Sequence, residues 1–169
     1  MPDARTDPAP DDWRDARPTV VLAGASGLVG RALLAQLLDD DRATVHALLR
    51  RDVPDLPVSR GLVRHIVDYA APLTLPPADE IYIALGTTLS VAGSQAAFRA
   101  VDFDAVVAVA RAARAAGIER AAVVSALGAS AQSRVFYNRV KGEMERALRD
   151  LRFERLVVAR PSLLAGARH

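Results

Sequence analysis

Short apolar segments alternate with helical patterns along most of the chain. Six segments rich in strand-forming residues are separated by turn formers: Thr19–Ala23, Thr44–Leu49, Leu62–Val67, Glu80–Leu85, Arg120–Ser125 and Phe153–Ala159. Apolar residues at three- and four-residue spacing predict three helices: Leu28–Leu38, Gln95–Ala116 and Phe136–Leu148. In the longest helix the same spacing predicts a buried stripe: Phe98, Val101, Ala105, Ala108, Ala112 and Ala116. Strands that alternate with helices or long crossovers indicate an α/β fold with a doubly wound, mostly parallel sheet in the order 3-2-1-4-5-6.

Length and apolar content fit a single folded domain preceded by a tail. The chain has 169 residues and is 51% hydrophobic, which excludes a mostly disordered protein. Residues 1–18 are rich in Pro, Asp and Arg and lack apolar periodicity, so we predict a disordered tail. Residues 19–169 are predicted to form one Rossmann-type domain.

Charge and cysteine content narrow the classes of partner and compartment. The formal net charge is only +2, and no block of basic residues is interleaved with aromatics, so we expect no nucleic-acid partner. No apolar run is long enough to span a bilayer, so we expect no membrane partner. The absence of cysteine excludes disulfides and thiolate chemistry, and no zinc-type spacing is present. Together with an N-terminus unlike a secretory signal, these features predict a cytoplasmic protein.

A glycine-rich segment, Gly24-Ala-Ser-Gly-Leu-Val-Gly30, follows the first predicted strand and opens the first predicted helix. In this context spaced glycines permit a tight turn, a close approach of the backbone to a pyrophosphate, and close packing of the helix. The exposed N–H groups at the start of the helix then bind the phosphate. We therefore predict a dinucleotide site that includes Gly24, Ser26, Gly27, Leu28, Val29 and Gly30, the alternative being a plain tight turn.

The chemistry is expected around Tyr137 and Lys141, which are four residues apart and share one helical face. An ammonium near a phenol favours the phenolate, which lowers the tyrosine pKa from about 10. Such a phenol can exchange a proton with a substrate oxygen while a cofactor moves hydride. Lys141 is the only lysine among 22 basic side chains, which argues against the alternative of an ordinary surface pair.

The ordered set of motifs resembles the short-chain dehydrogenase/reductase superfamily. Beside the glycine segment, the segments that carry this resemblance are Ala84-Leu-Gly-Thr-Thr88, Ser125-Ala-Leu-Gly-Ala-Ser130, Tyr137-Asn-Arg-Val-Lys-Gly-Glu143 and Arg160-Pro161-Ser162. They look most like its atypical and extended branch, which includes the Tat-interacting-protein-like oxidoreductases and bacterial epimerase-like proteins. The resemblance implies that Tyr137 is the acid/base, that Lys141 modulates it and binds a ribose, and that Ser125 donates to the substrate carbonyl. It also implies cofactor contacts from Leu85, Gly86, Thr87 and Pro161.

Residues after the second and third strands bear on cofactor choice. Arginine after the second strand suits a 2′-phosphate, so Arg50 and Arg51 favour NADP(H), with NAD(H) as the alternative. The alternative is that Arg50 and Arg51 are merely solvated side chains at the end of a strand and bind no phosphate. Asp68 resembles the acidic residue that the family places beside the adenine amino group, although it could instead cap its loop.

Two departures from the family pattern leave the function open. Many members place an asparagine in the long helix to support a proton relay, but this chain has Val101-Asp102-Phe103-Asp104 there. Members also continue past the sixth strand with segments that cover the substrate, so here the pocket is open, a partner completes it, or the sequence is truncated. The leading expectation is an NADP(H)-dependent oxidoreductase acting on a small carbonyl or alcohol. The alternatives are a sugar-nucleotide epimerase or dehydratase and a non-catalytic dinucleotide-binding sensor or scaffold. The Ala-rich helix also offers a surface for a homodimer.

Overall fold

The six predicted strands are present and form one parallel sheet in a computed structural model that describes residues 17–39 and 43–162. They are β1 (Thr19–Ala23), β2 (Thr44–Leu49), β3 (Leu62–Ile66), β4 (Glu80–Ile83), β5 (Arg120–Val124) and β6 (Arg155–Ala159). The order β3-β2-β1-β4-β5-β6 confirms the predicted doubly wound topology. Strand ends differ from the prediction by one or two residues in β3 to β6. The predicted tail lies outside the described residues except for its last two positions.

Helices cover both faces of the sheet. They are α1 (Leu28–Leu38), α2 (Leu89–Ala92), α3 (Gln95–Arg99), α4 (Val106–Ala115) and α5 (Phe136–Asp150). Successive residues of β1 point to opposite faces, so Val20 and Leu22 pack with Leu34 of α1 on one side. On the other side Val21 and Ala23 belong to the cluster that includes the buried residues of α4 and α5. Burial on both faces explains why the central strands read as continuous apolar runs.

The longest predicted helix is helical throughout, but its interior is not a regular α-helix. Residues 100–105 between α3 and α4 form a π-helical segment, in which each hydrogen bond spans one residue more than in an α-helix. The extra residue rotates the following side chains, so the predicted stripe is only partly right. Phe98, Ala105 and Ala112 are buried, whereas Val101, Ala108 and Ala116 are only half-buried. Asp102, which lies four residues after Phe98 and three before Ala105, is also fully buried.

The predicted boundaries of this helical stretch agree with its caps. The Ser94 hydroxyl accepts a hydrogen bond from the Ala97 N–H at 3.1 Å, as expected of an N-cap. At the other end Gly117 has φ +81°, the left-handed conformation that ends many helices. Since all six strands run in the same direction, the segments after β1, β4 and β5 meet at one edge of the sheet. That edge holds the predicted site residues.

Candidate functional site

The three glycines of the first turn differ in why glycine is needed at each position. Gly24 has φ +94°, and a Cβ there would lie 2.5 Å from the Ala84 carbonyl oxygen, so the exits of β1 and β4 touch through it. A Cβ at Gly30 would overlap the Gly24 carbonyl oxygen. A Cβ at Gly27, in contrast, would meet nothing closer than 3.5 Å, and this residue is exposed. The fold therefore requires Gly24 and Gly30, while the surface over Gly27 is open to a ligand.

The N-terminus of α1 is suited to an anion. Gly27 is the N-cap and supplies no side-chain hydrogen bond, and the first turn contains no acidic residue. The first N–H groups of a helix have no partner within it, and the helix dipole places partial positive charge there. These features fit the pyrophosphate of a dinucleotide, and Ser26 is exposed beside them.

The residues expected to select the cofactor lie at the ends of β2 and β3. Arg50 and Arg51 are exposed, and neither makes a hydrogen bond or ion pair with another residue in the part of the chain that the structure describes. They are therefore available to an anionic ligand. Asp68 Oδ1 accepts the Ala70 N–H at 2.9 Å, so the contact seen for Asp68 is that of a loop cap. Its role beside an adenine stays a prediction.

Two of the three tyrosines are poor candidates for an acid/base. The Tyr69 hydroxyl donates to the Leu48 carbonyl at 3.0 Å, and burial raises the pKa of Tyr69 to about 12. Burial, followed by the nearby Glu80 carboxylate, also raises the pKa of Tyr82. Tyr137 lies at the start of α5, half-buried, with its ring 5.3 Å from the ring of Phe98 between centroids. Tyr137 therefore stays the candidate acid/base among the three tyrosines.

Lys141 is held by a carboxylate that sequence reasoning did not assign to the site. The Lys141 ammonium lies 2.7 Å from Asp102 Oδ1, and both side chains are buried. The second oxygen, Asp102 Oδ2, accepts the Thr87 N–H at 2.8 Å. A Cβ at Gly86 would lie 3.3 Å from Asp102 Oδ1 and 3.7 Å from Lys141 Nζ. The π-helical segment, the exit of β4 and α5 therefore converge on one ion pair.

Ser125 also has a partner that sequence reasoning missed. Its hydroxyl donates to Glu145 Oε1 at 2.6 Å, and Glu145 is buried on α5. Arg160 forms a two-bond fork with both oxygens of Glu145, and Arg149 donates to Oε2 at 3.0 Å. Burial raises the pKa of Glu145, but the hydrogen bonds from Arg160 and Ser125 outweigh it, so the pKa is lowered overall. The carboxylate is therefore charged at neutral pH.

The proton of the Ser125 hydroxyl is thus used in the hydrogen bond to Glu145. A hydroxyl has one proton, and with that proton directed to Glu145 its oxygen offers only lone pairs to other groups. Donation by Ser125 to a substrate carbonyl stays a prediction, and it requires this hydrogen bond to break. Pro161, expected near the cofactor, has its carbonyl oxygen bonded to the Leu127 N–H at 2.9 Å.

Two features of the sequence point to Asp102 and Glu145, the two acidic residues that were not predicted to belong to the site. Asp102 stands in a helix whose neighbours are mostly apolar, in the segment where the family resemblance leads one to expect an asparagine. Glu145 lies four residues after Lys141 and eight after Tyr137, on the same face of α5. An acid on an otherwise buried face indicates a buried partner, since unpaired charges are rarely buried.

The comparison with known proteins agrees with this geometry. The profile of an NAD(P)H-binding family matches residues 24–163. A relative named "Protein FMP52, mitochondrial" from Eremothecium gossypii is 38% identical over 153 residues, which cover 88% of this chain and 67% of the relative. The chain thus spans about two thirds of the length of this curated relative.

Solved structures share the fold at low sequence identity. The Bordetella bronchiseptica enzyme WbmH, solved in complex with NAD+, has a TM-score of 0.73 at 14% identity, covering 90% of this chain and 59% of WbmH. A short-chain dehydrogenase/reductase from Veillonella parvula in complex with NADP has a TM-score of 0.62 at 14% identity, covering 85% of this chain and 68% of that protein. Both cofactors therefore occur among proteins with this fold.

The names of the relatives overturn one expectation. The cytoplasmic location predicted from composition is wrong, since the fungal relatives are named as mitochondrial proteins. The reason is that a lack of cysteine reports on disulfides and not on the compartment. Within the described residues, no helix has the length and apolar character needed to cross a membrane.

The family profile covers most of the chain, and the fold has the predicted strand order. The NAD(P)H-binding profile bears out the resemblance to the short-chain dehydrogenase/reductase superfamily, and a solved structure of that type shares the fold. This chain belongs to the NAD(P)H-binding family of Rossmann-fold proteins.

Proposed function

We propose that this chain is an NADP(H)-dependent oxidoreductase that transfers hydride to or from a small carbonyl or alcohol, with Tyr137 as general acid/base. The observation that carries the proposal is the placement of Lys141. The only lysine of the chain is buried on α5 one turn from Tyr137, at the edge of the sheet where the glycine turn also lies. An arginine-rich chain has no need of a lysine there for charge alone.

Each residue has a distinct task in the proposed reaction. The N–H groups at the start of α1 bind the pyrophosphate, and the open surface over Gly27 admits it. The Lys141 ammonium binds ribose hydroxyls and favours the phenolate of Tyr137. The Tyr137 phenol gives a proton to the substrate oxygen in reduction and takes it in oxidation. A bound nicotinamide dinucleotide supplies or accepts the hydride.

The preference for NADP(H) rests on Arg50 and Arg51, whose guanidinium groups match a 2′-phosphate. We expect NADPH to raise the melting temperature more than NADH at equal concentration, because ligand binding to the native state stabilises by about 2.7 kcal/mol at a hundredfold excess over Kd. Replacing both arginines by alanine should weaken NADPH binding about tenfold or more and change NADH binding less than about threefold. Arg60→Ala, an exposed arginine in the loop before β3, is the matched control. Equal shifts with the two cofactors in the parent protein would remove the case for a 2′-phosphate site.

A non-catalytic dinucleotide sensor is the second candidate, and the Ser125–Glu145 hydrogen bond favours it, because it occupies the proton expected to polarise a carbonyl. A panel of aldehydes and ketones, followed by NADPH consumption, separates the two. Turnover in the parent supports the oxidoreductase. Binding of NADPH with no turnover on any carbonyl of the panel, and none on the corresponding alcohols with NADP+, supports the sensor.

A further inference from the structure

The ion pair between Asp102 and Lys141 is almost completely shielded from solvent. Asp102 is fully buried and Lys141 is 4% exposed. Their charged atoms lie 2.7 Å apart, on elements that are far apart in the sequence. Removing two charges from water is costly, and a buried pair is often no more stabilising than apolar side chains of the same size. Stability alone is therefore a weak reason for this pair.

The position of Asp102 within a π-helical segment also indicates a specific role. Asp102 lies buried in the π-helical segment, while Asp104 on the same segment is exposed. Such segments within helices occur frequently at functional sites. Asp102 Oδ1 accepts no hydrogen bond of good geometry from the described residues, so its hold on the ammonium is mainly Coulombic. One oxygen is bonded to Thr87, and the other balances the charge of Lys141.

The location of the pair connects it with the nicotinamide end of the dinucleotide. The proposed proton transfer by Tyr137 takes place next to the nicotinamide ring, and Lys141 lies one helical turn away. The oxidised nicotinamide ring carries a positive charge, and the reduced ring carries none. An uncompensated ammonium nearby would therefore disfavour the oxidised cofactor, whereas a compensated one would not.

We propose that Asp102 is a positioning residue that fixes Lys141 beside Tyr137 and offsets the charge of the ammonium as it acts on the more distant nicotinamide ring, so that the site binds the oxidised and the reduced dinucleotide with similar affinity. The inference rests on the proposed function, because it assumes that a dinucleotide binds beside Lys141. For a separation of about 10 Å and an effective dielectric constant of about 20 to 40, two unit charges interact strongly enough to change an affinity about fourfold to sixteenfold. The charge of Asp102 should therefore be visible in the ratio of two dissociation constants.

The test uses the full chain and measures Kd for NADP+ and NADPH by calorimetry, and for NAD+ and NADH in parallel, at one ionic strength. Asp102→Asn keeps the shape and an acceptor for the Thr87 N–H but removes the charge. We expect it to raise the ratio of the oxidised to the reduced Kd about fourfold or more. Lys141→Gln leaves the carboxylate uncompensated and should lower the same ratio. Asp104→Asn, an exposed acid on the same segment, should leave the ratio unchanged.

The double variant Asp102→Asn/Lys141→Gln separates charge from fold. Its neutral pair should return the ratio to within about twofold of the parent, even where both affinities are weaker. A purely structural role of Asp102 would weaken both cofactors equally, and an unchanged ratio in Asp102→Asn overturns the proposal. If Asp102→Asn does not fold, an unchanged ratio in Lys141→Gln overturns it instead. A parent protein that binds none of the four dinucleotides would refute the proposed function, a different outcome from an unchanged ratio.

Discussion

Two buried carboxylates lie on the α5 side of the sheet, and their surroundings differ. Glu145 accepts hydrogen bonds from Ser125, Arg149 and Arg160, so both of its oxygens are used. Asp102 accepts one hydrogen bond and faces one ammonium. A carboxylate with all its acceptor sites used holds segments of chain together, whereas one with spare capacity beside a ligand site can respond to what binds there. We therefore expect the Glu145 cluster to contribute mainly to stability, and we propose a functional role for the Asp102–Lys141 pair.

The largest expected effect falls on the functional side of this comparison. Tyr137→Phe removes the phenol proton and should lower the turnover rate about 10²–10⁴-fold, because a positioned acid/base typically contributes that much. The affinity for NADPH and the free energy of unfolding should change little. Steady-state kinetics on a carbonyl found in the screen, with Kd and urea unfolding measured on the same preparations, test this. Tyr82→Phe is the control, and a fully active Tyr137→Phe variant would contradict the catalytic assignment.

A second substitution tests the structural side. Glu145→Ala leaves Arg160 and the Ser125 hydroxyl without their carboxylate, and loss of one partner of a buried charged network costs about 3 kcal/mol or more. We expect a lower urea midpoint, while the folded fraction keeps its affinity for NADPH within about threefold. Glu143→Ala, which breaks the half-exposed ion pair with Arg99, should cost less than about 1 kcal/mol.

The assignment of a structural role to Glu145 is wrong if its substitution affects cofactor binding and leaves stability unchanged. A Glu145→Ala variant with unchanged stability and lost cofactor binding would place Glu145 in the dinucleotide site.

The smallest effect concerns pH. The pKa of Glu145 is lowered from 4.5 in the folded protein, so its charge contributes stability that is fully present above about pH 4.5 and is lost as the pH falls through the folded value. The difference in unfolding free energy between the parent and Glu145→Gln should therefore narrow below pH 4.5. Urea titrations at pH 7, 5 and 3.5 measure it, and a difference that stays constant over this range would show that the charge of Glu145 has no part in stability.

The placement of several candidate site residues could be predicted because the signals for it are local. The glycine turn follows directly from the strand–turn–helix sequence, and Gly24 and Gly30 have the close backbone contacts that such a turn requires. Tyr137 and Lys141 share a helical face because they are four residues apart. The missed residues, Asp102 and Glu145, differ in that their roles depend on partners distant in the sequence. The compartment was also missed, since composition carries little information on it.

The sequence by itself determined the strand order and the edge of the sheet at which the site forms. Alternating strand and helix patterns leave few topologies, because parallel crossovers are right-handed and short. Only the tertiary structure decided which charges meet at that edge. Asp102 lies in the π-helical segment between α3 and α4, and its carboxylate meets the ammonium of Lys141 on α5. Which charged groups meet depends on the free energy of packing α4 and α5 against the same face of the sheet. The local spacing of residues in the sequence carries no information on that packing.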